Sequence, residues 1–351
     1  MTSIDVTSHS TPRSPHAPHA PHAPQAPHAP RSPRRRSLLH ACAALIGLPW
    51  MAACAAPAFQ PAAAHDTPRD ALPAPAPWAL VLSGGGLRGI AHVGVLRALQ
   101  GLNLEPPLVV GSSIGAVIGA LYASGVELDQ LERLQLPAEM DPWSSLLVSP
   151  AARSASLAGL LKRTLAQQRI EHFPRRFAAV ATASDTGQAR AFGSGDATLA
   201  VLASAALPGA LAPVSIDGRE YWDGGLSLPL PVRLARSLGA RCVVAVDVGF
   251  HPEVPAPRGR IGSVFHAGFL MGRNLSAPDR AAADVLIEPV LPPVPEVTLA
   301  RRAALADCGE RATLALGSAL GHVTSEQASL DRPIPATHPP GLVHTRAQPL
   351  F

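Results

Sequence analysis

Apolar residues along this chain fall in short blocks separated by glycine and proline, and the blocks alternate between two kinds. Trp78–Leu82, Leu108–Val110, Phe177–Ala183 and Cys242–Val248 are continuous apolar runs too short for helices, and they read as strands buried on both faces. Asp284–Val290 reads as a late strand. Between these runs the apolar positions take helical spacing. That pattern predicts helices over Ile90–Leu102, Ser113–Ser124 (closed by Gly125), Glu127–Leu136, Ser156–Gln168, Ala197–Leu207 (broken by Pro208-Gly209), Pro231–Leu238 (closed by Gly239) and Leu299–Leu320. Strands alternating with helices imply an α/β fold, a three-layer α/β/α body around a mostly parallel sheet.

The ends of the chain lack this pattern. Residues 14–30 repeat Pro-His-Ala and cannot pack a core. An arginine cluster, Arg34-Arg35-Arg36, precedes an uncharged apolar run from Leu38 to Ala53. That run is shorter than the roughly 20 residues of a spanning helix. Basic residues, an apolar stretch and small residues at its end read as an export signal peptide. Met51-Ala-Ala-Cys54 resembles a bacterial lipobox, with Met51 in place of the usual Leu. Arg35-Arg36-Ser-Leu-Leu39 resembles a twin-arginine signal. An uncleaved anchor helix is the plain alternative. The expected organisation is therefore an extension and signal over 1–53 and an Ala/Pro-rich tether over 54–77. A catalytic body over 78–324 and a Pro-rich tail over 325–351 follow. Lipidation at Cys54 would hold the protein to the cell envelope of a bacterium, facing the periplasm.

Composition narrows the function. Hydrophobic residues make up 47% of the 351 residues, enough for a sizeable core, and charged residues only 15%. The net charge of +4 resides wholly in residues 1–53, where five arginines face the single Asp5. The body is neutral overall, so nucleic acid is not an expected partner. The single lysine, Lys162, is not in an S-x-x-K arrangement. The four cysteines form no C-x-x-C pair and no cluster with histidine at metal spacing, so no metal site is expected; a serine-based acyl transfer would need no organic cofactor either.

Chemistry concentrates at two strand–helix turns. Ser83-Gly84-Gly85-Gly86-Leu87-Arg88-Gly89 follows the first body strand. Gly84, Gly86 and Gly89 fit the dinucleotide pattern G-x-G-x-x-G, which also wants an acid at the end of the next strand. Glu105 has about the right spacing but precedes that strand. The competing reading is an oxyanion hole built from bare N–H groups at a helix start. Gly111-Ser112-Ser113-Ile114-Gly115 follows the second strand and fits G-x-S-x-G in the strand–turn–helix setting of a nucleophile elbow. A Gly/Ser-rich helix cap would look the same in isolation. The two turns should lie side by side at the carboxyl edge of the sheet, where ligands bind. Asp223-Gly224-Gly225 is a candidate base, or simply a turn. Arg88 could steady the loop, meet a lipid phosphate or pair with an acid. His92 reads as a packed, hydrogen-bonded histidine, and Tyr221 and Trp222 as packing beside the aspartate.

GGGLRG, GSSIG and DGG, in that order, resemble the patatin-like phospholipase family. GIAHVGVLRAL, AVLASAALPGALAPV and PVRLARSLGARCVVAVDVG extend the resemblance over Trp78–Gly249. It implies a lipid acyl hydrolase with a Ser–Asp dyad, in which Ser113 is the nucleophile and Asp223 the proton acceptor. The loop Gly84, Gly85, Gly86, Leu87, Arg88 and Gly89 would form the oxyanion hole, and a lipid or ester would be the substrate. DGG stands where DGA is commoner in the family. Three rivals remain at this point: an α/β-hydrolase triad of Ser113, Asp223 and His251; a tethered protein of the same fold without turnover; and a nucleotide-binding protein. Met140–Pro150, with Trp143 and Leu146-Leu147, reads as a lid or a plain connection.

Overall fold

The computed structural model of the chain describes residues 67–134, 148–249, 260–291 and 299–325. All of them belong to one compact unit, Ala56–Phe351. The leader with Cys54, residues 140–147 of the suggested lid, His251 and the tail from 326 lie outside the described residues.

The sheet's centre is built from the apolar runs. β1 (Arg69–Asp70), β2 (Ala76–Leu82), β3 (Leu108–Ser112), β4 (Arg176–Ala183), β5 (Ala189–Ser194), β8 (Ala240–Val246) and β9 (Val285–Ile287) lie in the order β1-β5-β4-β3-β2-β8-β9. Every neighbour from β4 through β9 is parallel, while β5 is antiparallel to β4 and β1 to β5. A hairpin of β6 (Val214–Ile216) and β7 (Arg219–Asp223) joins antiparallel to the end of β4. Asp217 and Gly218 turn this hairpin with φ of 50° and 75°, the left-handed pair that a two-residue turn demands.

Strand periodicity sorts the core into two halves. Leu80, Leu82, Val109, Ala179 and Val244 face one side, and Ala79, Val81, Val110, Val180 and Val243 the other. The first side is covered by α1 (Ala91–Gly101), α2 (Ile114–Ala123), α3 (Leu128–Arg133), α4 (Pro150–Thr164), α5 (Ala197–Ala205) and α8 (Leu299–Leu314). The second is covered by α6 (Val232–Ser237) and the end of α7 (Arg260–Ala282). Burying one such leucine or valine stabilises the body by about 1.5–3 kcal/mol. A final helix, α9, spans Gly317–Ser325. The three-layer α/β/α fold with a mostly parallel sheet is therefore as the pattern predicts.

Several elements differ from the pattern. The sheet already includes Arg69–Asp70 and Ala76-Pro77, inside the stretch read as tether. Polar anchors hold this stretch: Arg190 pairs with Asp70, and the Arg176 guanidinium donates to the Ala74 carbonyl at 2.7 Å. α4 begins at Pro150 rather than Ser156, because Ser149 caps it by accepting the Ala152 N–H at 3.2 Å and Pro150 suits the first turn. The helix expected over Leu299–Leu320 is two helices, α8 and α9. α7 and the strands β5, β6 and β7 were not anticipated.

Candidate active site

The geometry of the site follows from the ends of three strands. β2 and β3 are adjacent and parallel, with Leu82 opposite Gly111, so the two glycine-rich turns emerge side by side. β3 ends at Ser112, paired with Val180 of β4. The next β4 residue, Ala181, pairs instead with Asp223, the last residue of β7. β7 thus takes over β3's place along β4, and Asp223 arrives from the opposite direction beside Ser113.

Ser113 sits between β3 and α2 with φ 56° and ψ −125°. A non-glycine residue there is strained, at a cost of about 1–3 kcal/mol. The flanking glycines permit the turn. A Cβ on Gly111 would lie 2.5 Å from the Gly115 carbonyl oxygen, and one on Gly115 would lie 2.2 Å from that of Leu82. The sharp turn projects the serine side chain out of the sheet edge, where its Oγ donates to Asp223 Oδ2 at 2.5 Å.

Asp223 is 3% exposed. Burial raises its carboxyl pKa from 3.8 to about 6, opposed by hydrogen bonds from Ser113 and from the Gly225 N–H, which reaches Oδ1 at 2.7 Å. Its backbone is fixed as well. The Asp223 N–H donates to Ala206 O at 3.0 Å, and the Thr182 hydroxyl donates to Asp223 O at 2.8 Å with the Ser227 hydroxyl 2.8 Å beyond. Gly224 passes so close that a Cβ would lie 2.1 Å from Val180 O and 2.7 Å from Ser112 Oγ. Ser112 is fully buried.

The first glycine turn runs along the serine. Gly84 lies against the Ser113 Cβ, Gly85 against Val248, and Gly89 against the Ile114 side chain. Gly84 N–H donates to Pro229 O at 3.0 Å, and the Ser83 hydroxyl accepts the Val248 N–H at 2.9 Å. These bonds fix the base of the loop. The N–H groups of Gly85 and Gly86 are left without partners among the described residues. Leu87 and Arg88 continue into a short 3-10 turn, Gly86–Ile90, that leads to α1. Together with the N-terminus of α2 at Ile114, this is a patch of open N–H groups beside the serine, suited to a developing negative charge.

Among the described residues Arg88 does not take the ion pair that was one of its readings. Its Nε and one Nη are buried without hydrogen bonds, and desolvation lowers its pKa while the charge of Asp247 opposes this. Asp247 itself is held by Arg280, which also pairs with Glu288. His92 is packed as expected, but neither ring nitrogen has a hydrogen-bond partner of good geometry. Burial pulls its pKa down to about 3, with the Val246 carbonyl opposing, so it is a neutral core residue. Tyr221 packs edge-on against Phe192 at 5.2 Å. Among the described residues no histidine is hydrogen-bonded to Ser113 or Asp223. Glu105 lies ahead of β3 and faces Arg175 at 3.6 Å, so the acid that a dinucleotide site requires at the end of β3 is not there.

Sequence reasoning missed the residues that hold Ser113 and Asp223 together. Thr182, Ser227 and Ser204 lie in apolar or turn segments and carry no motif. The Asp217-Gly218 dipeptide was the available signal for the hairpin that delivers Asp223.

Residues 80–236 match the family model described as patatin-like phospholipase, so this segment of the chain is similar to that family. An uncharacterized NTE family protein of Mycobacterium tuberculosis is 33% identical over 185 residues, covering 51% of this chain and 51% of the relative. A patatin-like phospholipase domain-containing protein of Caenorhabditis elegans is 37% identical over 180 residues, 48% of this chain and 13% of the relative. Human patatin-like phospholipase domain-containing protein 6 is 34% identical over 185 residues, 50% of this chain and 14% of the relative. The chain thus spans about half the length of its mycobacterial relatives. Among solved structures, VipD from Legionella pneumophila matches with a TM-score of 0.38 and 15% identity, over 72% of this chain and 70% of that one. That likeness is too distant to add to the fold described above.

Proposed function

We propose that this protein is a serine lipid acyl hydrolase that cleaves carboxylic esters through Ser113 and Asp223. The observation that carries the reading is the 2.5 Å hydrogen bond from a strained serine to a buried carboxylate. A serine hydroxyl needs an adjacent base to attack an ester. A carboxylate whose pKa is raised to about 6 is a stronger base than an ordinary aspartate and is still ionised at neutral pH.

In the proposed reaction, Asp223 Oδ2 takes the Ser113 proton as Oγ bonds to the carbonyl carbon. The N–H groups of Gly85 and Gly86, with that of Ile114, receive the oxyanion. One such donor lowers the barrier by about 3 kcal/mol. The tetrahedral intermediate collapses, the C–O bond to the alcohol breaks, and the alcohol leaves with the proton from Asp223. Water then gives a proton to Asp223 and its oxygen to the acyl carbon. The fatty acid departs and Ser113 regains its proton. The chemistry draws on side chains and backbone alone, and the family supports a phospholipid, lysophospholipid or simpler acyl ester as substrate.

The leader supports a second part of the proposal, that the hydrolase is exported and tethered to the envelope through a lipid on Cys54. Tethering would hold the site at high effective concentration near its lipid substrate.

Hydrolysis of a short-chain ester and of a phospholipid panel tests the reading, with Ser113→Ala, Asp223→Ala and His251→Ala beside the wild type. Loss of turnover in the first two and its retention in the third is the expected result. Loss in His251→Ala would replace the dyad by a triad, and no turnover in the wild type would remove the hydrolase reading.

A further inference from the structure

α5 is buried at all nine of its residues and looks like a packing helix. Its end does something more specific. The Ser204 hydroxyl accepts the backbone N–H of Ser113 at 3.0 Å and donates to Val180 O at 2.5 Å. Two residues on, the Ala206 carbonyl accepts the backbone N–H of Asp223 at 3.0 Å. One three-residue segment therefore holds the main chains of both members of the reacting pair.

The arrangement answers a local need. β3 ends at Ser112, so no strand carbonyl continues the ladder to the next residue. The left-handed turn at Ser113 then presents an N–H that backbone pairing does not satisfy. A hydroxyl has one proton to give and lone pairs to receive, so Ser204 can serve Ser113 and Val180 at once. Val180 is also the residue whose carbonyl abuts Gly224 and whose partner on β3 is Ser112. The serine turn, the end of β4 and the aspartate turn thus meet around a single hydroxyl. The same bond commits the Ser113 N–H elsewhere and leaves the oxyanion to the other open N–H groups.

We infer that Ser204 is a positioning residue for the hydrolase proposed above, and that the segment Ser204–Ala206 sets the alignment of Ser113 with Asp223. The inference rests on that hydrolase reading. A merely structural hydroxyl would affect only folding stability. A positioning one also controls how often the serine and aspartate are aligned for attack, and misplacement by about an ångström costs on the order of 100-fold in rate.

The test uses the full-length protein with a p-nitrophenyl ester and a fluorophosphonate. Ser204→Ala is compared with Ser204→Cys, which keeps a weaker donor and acceptor of similar size. Ser154→Ala is the control, since it removes a buried hydroxyl that accepts the Ala212 N–H at 3.1 Å, away from the reacting pair. The expected result is a fall in kcat and in labelling rate of about 10- to 100-fold for Ser204→Ala. KM should stay within about twofold, Ser204→Cys should be intermediate, and Ser154→Ala should lose only thermal stability. Wild-type kcat in Ser204→Ala, or an equal loss in Ser154→Ala, overturns the inference. If Ser204→Ala does not fold, Ser204→Cys decides, and wild-type kcat there overturns it equally. A wild type that neither hydrolyses nor labels defeats the hydrolase reading itself, a distinct outcome that takes the inference with it.

Discussion

Replacing Asp223 by asparagine should inactivate the protein and make it more stable at neutral pH. The carboxyl is buried and its pKa is raised from 3.8 to about 6, chiefly by desolvation. Below pH 3.8 the group is neutral whether the chain is folded or not, and it costs nothing. As the pH rises from 3.8 to 6 the unfolded chain loses its proton first, and the folded state falls behind. Above 6 the penalty is complete. The gap amounts to about 3 kcal/mol at 1.36 kcal/mol per pH unit. Asparagine does not titrate and nearly preserves the shape. Its Oδ1 can still accept the Gly225 N–H, and its amide can donate to Ser113 Oγ, while the half-buried serine turns its own proton to solvent. The variant's advantage should therefore open between pH 4 and 6 and stay constant above. For a domain of this size a gain of that magnitude raises Tm by roughly 6–12 °C. Thermal unfolding of both proteins from pH 4 to 8 measures it, and in parallel wild-type ester hydrolysis should decline as the pH falls through about 6. A difference in Tm that is flat with pH, or a variant less stable at pH 7 than at pH 4 relative to wild type, would refute the argument.

Other sites give sharper structural tests. Gly224→Ala places a methyl 2.1 Å from Val180 O; displacement of Asp223 should cut ester turnover by about 100-fold and lower Tm measurably. Asp279 is fully buried and receives the Arg233 guanidinium at 3.0 Å and the Arg233 N–H at 2.8 Å, tying α7 to α6. Arg233→Ala, which leaves that buried carboxylate without its cation, should destabilise by about 3–5 kcal/mol in chemical denaturation, and a loss under about 1 kcal/mol would show that this tie contributes little. Cys54→Ala should abolish incorporation of a clickable fatty acid in a bacterial host and move the protein out of the membrane fraction; unchanged labelling would disprove lipidation at that residue.

The chemistry-bearing turns were legible because each is local. Ser83–Gly89 and Gly111–Gly115 follow apolar strands whose pairing the continuous Val/Leu runs imply, and the structure places them side by side. Asp223 was legible as a residue but not as a location. Its position depends on β7 meeting β4 where β3 stops, a non-local pairing that no periodicity encodes. The antiparallel strands escaped because β5 is short, mixed in polarity and only partly buried. α7 escaped because after Met271 its one large apolar residue is Leu275, and Pro278 lies within it. Ser204 was hidden for the opposite reason. A small polar residue in an alanine-rich helix reads as packing, and its meaning appears only when the Ser113 N–H and Val180 O reach it from other elements. The C-terminal third, with little family signature, contributes Arg280 and Glu288 to the salt bridges around Asp247 at the end of β8.

The central claim is that Ser113 is a nucleophile activated by Asp223. Its most direct test is peptide mapping by mass spectrometry after brief exposure of the full-length protein to a fluorophosphonate. The account predicts a single adduct on Ser113 in the wild type and a labelling rate lowered by orders of magnitude in Asp223→Asn. An adduct on another residue, or equal labelling of the two proteins, would contradict it.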